Sequence, residues 1–66
     1  MTDRILRAGA VVKLVGLSRT TIWRMERAGE FPLRRKISQG TVGWLESEVM
    51  QWMTEREKVQ GTYLRI

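Results

Sequence analysis

A chain of 66 residues with a net charge of +5 and a pI near 10.8 has room for one small domain with a basic surface. It contains no cysteine and no histidine, which excludes disulfide staples, the usual zinc ligands and the commonest general base; no catalytic residue, metal or cofactor is expected. Folding at this length buries only roughly 60% of the surface that the unfolded chain exposes, so a deep enclosed active site is excluded too.

In chain order, Ile5-Leu6 between Arg4 and Arg7 reads as a short strand or an apolar anchor. From Ala8 to Val15 the residues Ala8, Val11, Val12 and Val15 repeat at i, i+3, i+4 and i+7, the pattern of a helix with one buried face. Gly16 follows where a helix C-terminus wants a residue free to take positive φ, and Leu17 is its apolar companion. Ser18 is an N-cap whose hydroxyl can accept from the backbone of Thr20 or Thr21, opening a helix from Arg19 to about Ala28 that Gly29 stops. Two short helices joined by so tight a turn form a helix-turn-helix. On the second helix Ile22 and Met25 share one side, Trp23 stands at the boundary, and Thr20, Arg24 and Arg27 fall in a narrow arc opposite.

Pro32 forbids further helix and extends Phe31, a core candidate. Leu33 to Ile37, carrying Arg34-Arg35-Lys36, then the turn Ser38-Gln39-Gly40-Thr41, then Val42-Gly43-Trp44-Leu45 with apolar residues at Val42 and Trp44, predict a two-stranded hairpin. Beside a helix-turn-helix it is a wing. Ser47 is a plausible N-cap for a third helix reaching about Val59, with Glu46 and Glu48 at the favourable end of its dipole and Val49, Trp52, Met53 and Arg56 on one face. Phe31, Trp44 and Trp52 are the expected core aromatics. Tyr63, Leu64 and Ile66 close a tail over residues 60–66, outside a core spanning residues 5–59 of a single domain, residues 1–66.

Charge is uneven along this plan. Residues 1–45 carry nine Lys and Arg against Asp3, Glu26 and Glu30, whereas residues 46–66 carry three against four acidic residues. The basic two thirds therefore coincides with the helix-turn-helix and wing, which suits a phosphate backbone; a merely solubilising surface is the plainer alternative. With α-helical readout, Arg19, Thr20 and Arg24 are placed on base edges in a major groove. Ser18, Thr21, Arg34, Arg35 and Lys36 are placed on phosphates, and Arg27, Gln39 and Thr41 complete the expected DNA-binding set. The paired carboxylates Glu46 and Glu48, or Glu55 and Glu57, are two residues apart and diverge on a helix, so an enzyme is not expected. No apolar run approaches the roughly 20 residues of a membrane span, and the N-terminal residues Asp3, Arg4 and Arg7 are unlike a signal peptide; a cytoplasmic protein is expected.

Three blocks of the sequence, Gly16-Leu17-Ser18-Arg19-Thr20-Thr21-Ile22-Trp23-Arg24, Gly29-Glu30-Phe31-Pro32, and Val42-Gly43-Trp44-Leu45-Glu46-Ser47-Glu48-Val49 with Trp52, together resemble the AlpA family of phage and prophage regulators, over about Ile5 to Arg56. The resemblance implies an α+β fold: a small three-helix winged helix-turn-helix of the MerR and excisionase type with a two-stranded β-hairpin wing. It implies a sequence-specific double-stranded DNA-binding regulator of transcription, with recognition helix about 19–28 and wing 34–44. The alternatives are an excisionase assisting a site-specific integrase, or a protein-interaction module acting on a recombinase or RNA polymerase, with self-association on DNA as a further expectation. The chain departs from the family pattern in having Glu26 where an apolar residue is usual, Ser38-Gln39-Gly40 where the wing tip is usually basic or contains proline, and Gly9-Ala10 where polar helix formers are usual.

Overall fold

The computed structural model describes residues 3–59, in the order β1 (Ile5–Leu6), α1 (Ala8–Val15), α2 (Arg19–Arg27), β2 (Arg35–Ser38), β3 (Thr41–Leu45) and α3 (Glu46–Thr54). The expected tail lies outside the described residues. α1 has the bounds its apolar spacing predicts, and Gly16 closes it at φ +76°, its N–H donating to the Val12 carbonyl at 2.9 Å. Only glycine takes that left-handed geometry without a Cβ penalty, so the tight turn into α2 depends on it. Ser18 then caps α2, its Oγ accepting from the Thr21 amide at 3.1 Å.

The hairpin is part of a three-stranded antiparallel sheet, order β1-β3-β2. Ile5-Leu6 is thus a strand, paired as Ile5 with Leu45 and Leu6 with Trp44, which puts the central strand β3 between β1 and the wing strand β2. β2 starts at Arg35, not Leu33, because the backbone N–H of Arg34 is given to a side chain, Glu26 Oε2, at 2.9 Å. Its register shifts between Lys36 and Ser38, the mark of a bulge beside the turn. Gly43 sits where the three strands crowd: a Cβ there would lie 2.7 Å from Ile5 Cγ2 and 2.9 Å from the Leu6 carbonyl oxygen. Val42 and Trp44 share a face of β3, yet only Trp44 reaches the core; Val42, nearer the hairpin tip, is exposed because no helix covers it.

The core is Leu6, Val11, Ile22, Phe31, Trp44 and Val49, one or more from nearly every element, with Ala8, Val12, Val15, Leu17, Met25, Trp52 and Met53 packed around it. Phe31 makes edge-to-face contacts with Trp44 and Trp52, ring centroids 6.4 and 4.7 Å apart. The same two indoles hold its backbone. Trp44 Nε1 donates to the Pro32 carbonyl at 2.9 Å and Trp52 Nε1 to the Glu30 carbonyl at 2.8 Å, so the carbonyls flanking Phe31 are satisfied without secondary structure. Trp52 remains half-buried at the rim of this cluster.

The third helix differs from expectation at both ends. β3 runs directly into α3 with Leu45 as N-cap, so Ser47 lies inside the first turn. The capping acceptor comes from Asp3, whose Oδ1 takes the Ser47 amide at 3.0 Å while its Oδ2 takes the Ser47 hydroxyl at 2.5 Å. At the other end the helix stops at Thr54, short of Val59, because the apolar face ends at Met53 and Arg56 turns back: its Nε donates to the Trp52 carbonyl at 2.9 Å and its guanidinium lies 4.4 Å from the Trp52 ring centroid.

The carboxylates at the start of α3 are expected to make stability depend on acid. Hydrogen bonds from Ser47 hold the Asp3 carboxyl below its ordinary value of 3.8, and the Arg4 and Arg35 guanidiniums hold Glu46 and Glu48 below 4.5. Carboxylates lowered in the fold stabilise it above their unfolded values, and that contribution disappears as pH falls through the folded ones. The thermal midpoint is therefore expected to fall as pH drops through the ordinary values of 4.5 and 3.8 and to go on falling through the lower folded ones. Asp3→Asn keeps an acceptor for the Ser47 amide and loses the charge, so it should lower the midpoint only slightly at neutral pH and flatten that acid limb; an unchanged limb would remove Asp3 from the account.

Candidate nucleic-acid interface

α2 is fastened on one side by Ile22, buried, and Met25, half-buried, and it turns Thr20, Arg24 and Arg27 into solvent. Arg24 has no hydrogen-bond or ion-pair partner among the described residues, so its five N–H donors are free for a ligand. Arg27 is held differently: its guanidinium lies 4.8 Å from the ring centroid of Trp23, a residue 46% exposed. Ser18 and Thr21 are joined to each other, Ser18 Oγ to Thr21 Oγ1 at 3.0 Å, at the N-terminus of the helix. Arg19 leans back over α1, its Nη2 3.6 Å from where a Cβ on Gly9 would stand.

The basic wing strand is less free than its composition suggests. Arg34 Nε lies 3.3 Å from Glu26 Oε1, an ion pair in which the carboxylate is buried and the guanidinium is 44% exposed. Arg35 grips Glu48 of α3 with two bonds, Nε to Oε1 at 3.2 Å and Nη2 to Oε2 at 2.7 Å. Lys36 alone of the three has no ion-pair partner among the described residues. Gln39 is exposed in the turn, and Thr41 is half-buried opposite Ser38. Of the expected DNA-binding residues, Thr20, Arg24 and Arg27 share the outer face of α2, whereas Arg34 and Arg35 are partly committed to holding the wing against the helices.

Glu26 is the residue whose role was least legible beforehand. Its position four residues after Ile22 places it on the buried side, but a carboxylate there needs partners, and none lies on the same helix. The partners are the main chain and side chain of Arg34, eight residues on. This one carboxylate ties α2 to the root of the hairpin. Glu26→Gln keeps one acceptor and loses the charge, and is expected to cost about 1–2 kcal/mol of unfolding free energy after allowance for the solvent around Arg34. Urea unfolding measures it; an unchanged midpoint would show that the tie contributes nothing.

The arrangement, a helix-turn-helix whose exposed second helix is followed by a β-hairpin on a small sheet, defines a small α+β protein of the winged helix-turn-helix class. The chain belongs to the AlpA family: the model of the prophage CP4-57 regulatory protein (AlpA) family matches residues 4–57. It is 46% identical over 54 residues to the uncharacterized protein ORF88 of Enterobacteria phage P4, an alignment covering 82% of this chain and 61% of the phage protein. It is 36% identical over 62 residues to the DNA-binding transcriptional activator AlpA of Escherichia coli K12, covering 85% of this chain and 89% of that protein. The chain thus spans less than two thirds of the phage P4 relative. No solved structure gives a significant match.

Proposed function

We propose that this protein is a sequence-reading, double-stranded DNA-binding regulator of transcription belonging to a prophage or related mobile element. The observation that carries the reading is the outer face of α2, where Thr20 and Arg24 stand exposed on a helix locked by the Ser18 cap and by the burial of Ile22. A helix fixed in this way can enter a major groove and present a guanidinium fork to the two acceptors of a guanine edge. Lys36, Gln39 and the hairpin turn reach the backbone or the adjacent minor groove.

The carboxylates support binding over catalysis. Asp3 caps α3, Glu26 holds Arg34, Glu46 and Glu48 hold Arg4 and Arg35, and Glu55 accepts from Gln51, so each of these is engaged in structure. Among the described residues no helix is long and apolar enough to cross a membrane, and a regulator of this kind works on DNA in the bacterial cytoplasm.

The test is binding of the purified chain to duplex DNA from around its own gene and from any adjacent attachment site, against random duplex, over a salt series. Preference for a discrete site is expected, with log affinity falling linearly in log salt at a slope near −0.9 per phosphate neutralised. A site at a promoter is the expected location; one confined to the attachment region would instead make the protein an excision factor. Weak binding equal on all sequences would overturn the reading.

A further inference from the structure

Between α1, α2 and the root of β2 lies an open cleft of about 450 Å³ that the fold itself does not fill. The buried residues Ile22 and Trp44 and the exposed residues Arg19, Thr20, Trp23 and Arg34 are among those that line it. The remaining charged group lining it is Glu26, whose two oxygens are both engaged by Arg34. The cleft therefore carries two guanidiniums against one carboxylate, a net charge of +1 in which Arg34 is paired with Glu26 and Arg19 has no ion-pair partner among the described residues, an environment that suits an anion with an apolar part. Trp23 borders the cleft and also carries Arg27 over its ring, so a large, half-exposed aromatic is anchored among cations at a site that its own core does not need. Exposed Trp and Arg in one place is the composition of binding hot spots.

We propose that this cleft seats one sugar–phosphate strand of the DNA, with the Trp23 ring packed on a deoxyribose and Arg19 and Arg34 flanking its phosphate. The inference rests on the DNA-binding reading above and deepens it. When α2 occupies the major groove and the hairpin reaches the adjacent minor groove, the strand separating the two grooves passes between them, and the cleft is bounded by α2 on one side and by Arg34 on the other. Arg19, expected from the sequence to read a base edge, is here a backbone contact, in keeping with its position leaning on Gly9. A sugar–phosphate contact carries no sequence information, so the cleft contributes affinity on every duplex.

The experiment titrates the full chain, Trp23→Ala, Trp23→Phe and Arg19→Ala into labelled duplexes, one carrying the preferred site and one random, over a salt series. Trp23→Ala is expected to weaken both complexes by a similar factor of about ten, and Trp23→Phe to restore most of it. Arg19→Ala is expected to reduce the salt slope by about one phosphate. The part of the tryptophan emission that Trp23→Phe removes should lose its accessibility to acrylamide when DNA is added to the native chain, a readout that stands even where the alanine variant folds poorly. Affinity within about twofold of native for Trp23→Ala, unchanged quenching, or a loss confined to the preferred site overturns the proposal while leaving DNA binding intact. Failure of the native chain to bind either duplex overturns the DNA reading itself.

Discussion

Phe31→Ala is expected to remove about 3–5 kcal/mol of stability, the usual cost of deleting a buried phenyl ring. A domain of this length has about 3–10 kcal/mol in all, so the variant should lack a cooperative thermal transition, or show one far below the native midpoint. The cost is high for reasons peculiar to this ring. Phe31 is buried against both Trp44 and Trp52, and those indoles donate to the carbonyls on either side of it. Emptying the site therefore loosens two aromatic packings and two hydrogen bonds together. Phe31→Leu keeps most of the volume and should retain a cooperative transition, with near-ultraviolet circular dichroism reporting whether the two tryptophans keep their fixed surroundings. Cooperative unfolding of the alanine variant near the native midpoint would show that the loop, and not the ring, organises this part of the core.

Arg24→Ala is expected to lower affinity for the preferred DNA site by about 1–3 kcal/mol, roughly five- to 150-fold, with a much smaller loss on random duplex. The asymmetry follows from geometry: a fork with no partner among the described residues, on the outer face of α2, is free to meet a base edge, and a base-edge contact is worth most on the matching sequence. Arg24→Lys keeps the charge without the fork, so it should recover random-sequence binding and little of the discrimination. Equal losses on both duplexes would make Arg24 a phosphate contact. Because the side chain is exposed and has no partner among the described residues, stability should be unaffected, which separates this variant from those that act through the fold.

What could be read in advance was local. Val11, Val12 and Val15 mark the buried face of α1, Gly16 and Ser18 mark the turn and the cap within four residues of their partners, and Pro32 ends any helical option. Such signals act through neighbouring backbone groups, so residue type and spacing suffice to state them. The outer face of α2 followed for the same reason, since a helix of known start distributes its side chains at 100° per residue. Boundaries set by distant partners were not legible: Ser47 looked like a cap because its identity suits one, but Asp3, 44 residues earlier, does the capping.

The sequence by itself therefore determined the order of the three helices and the hairpin, the turn between α1 and α2, and which residues face outward on α2. Only the tertiary structure decided that Ile5-Leu6 completes a sheet, that Glu26 is buried on Arg34, that Arg35 is taken by Glu48, and that Trp23 lines an open cleft. The physical reason is one of range. Capping, helical periodicity and turn conformation are fixed by atoms a few residues apart, whereas a charge or an aromatic ring can be satisfied by many partners of similar chemistry. Which partner it receives is decided when packing brings one particular pair together.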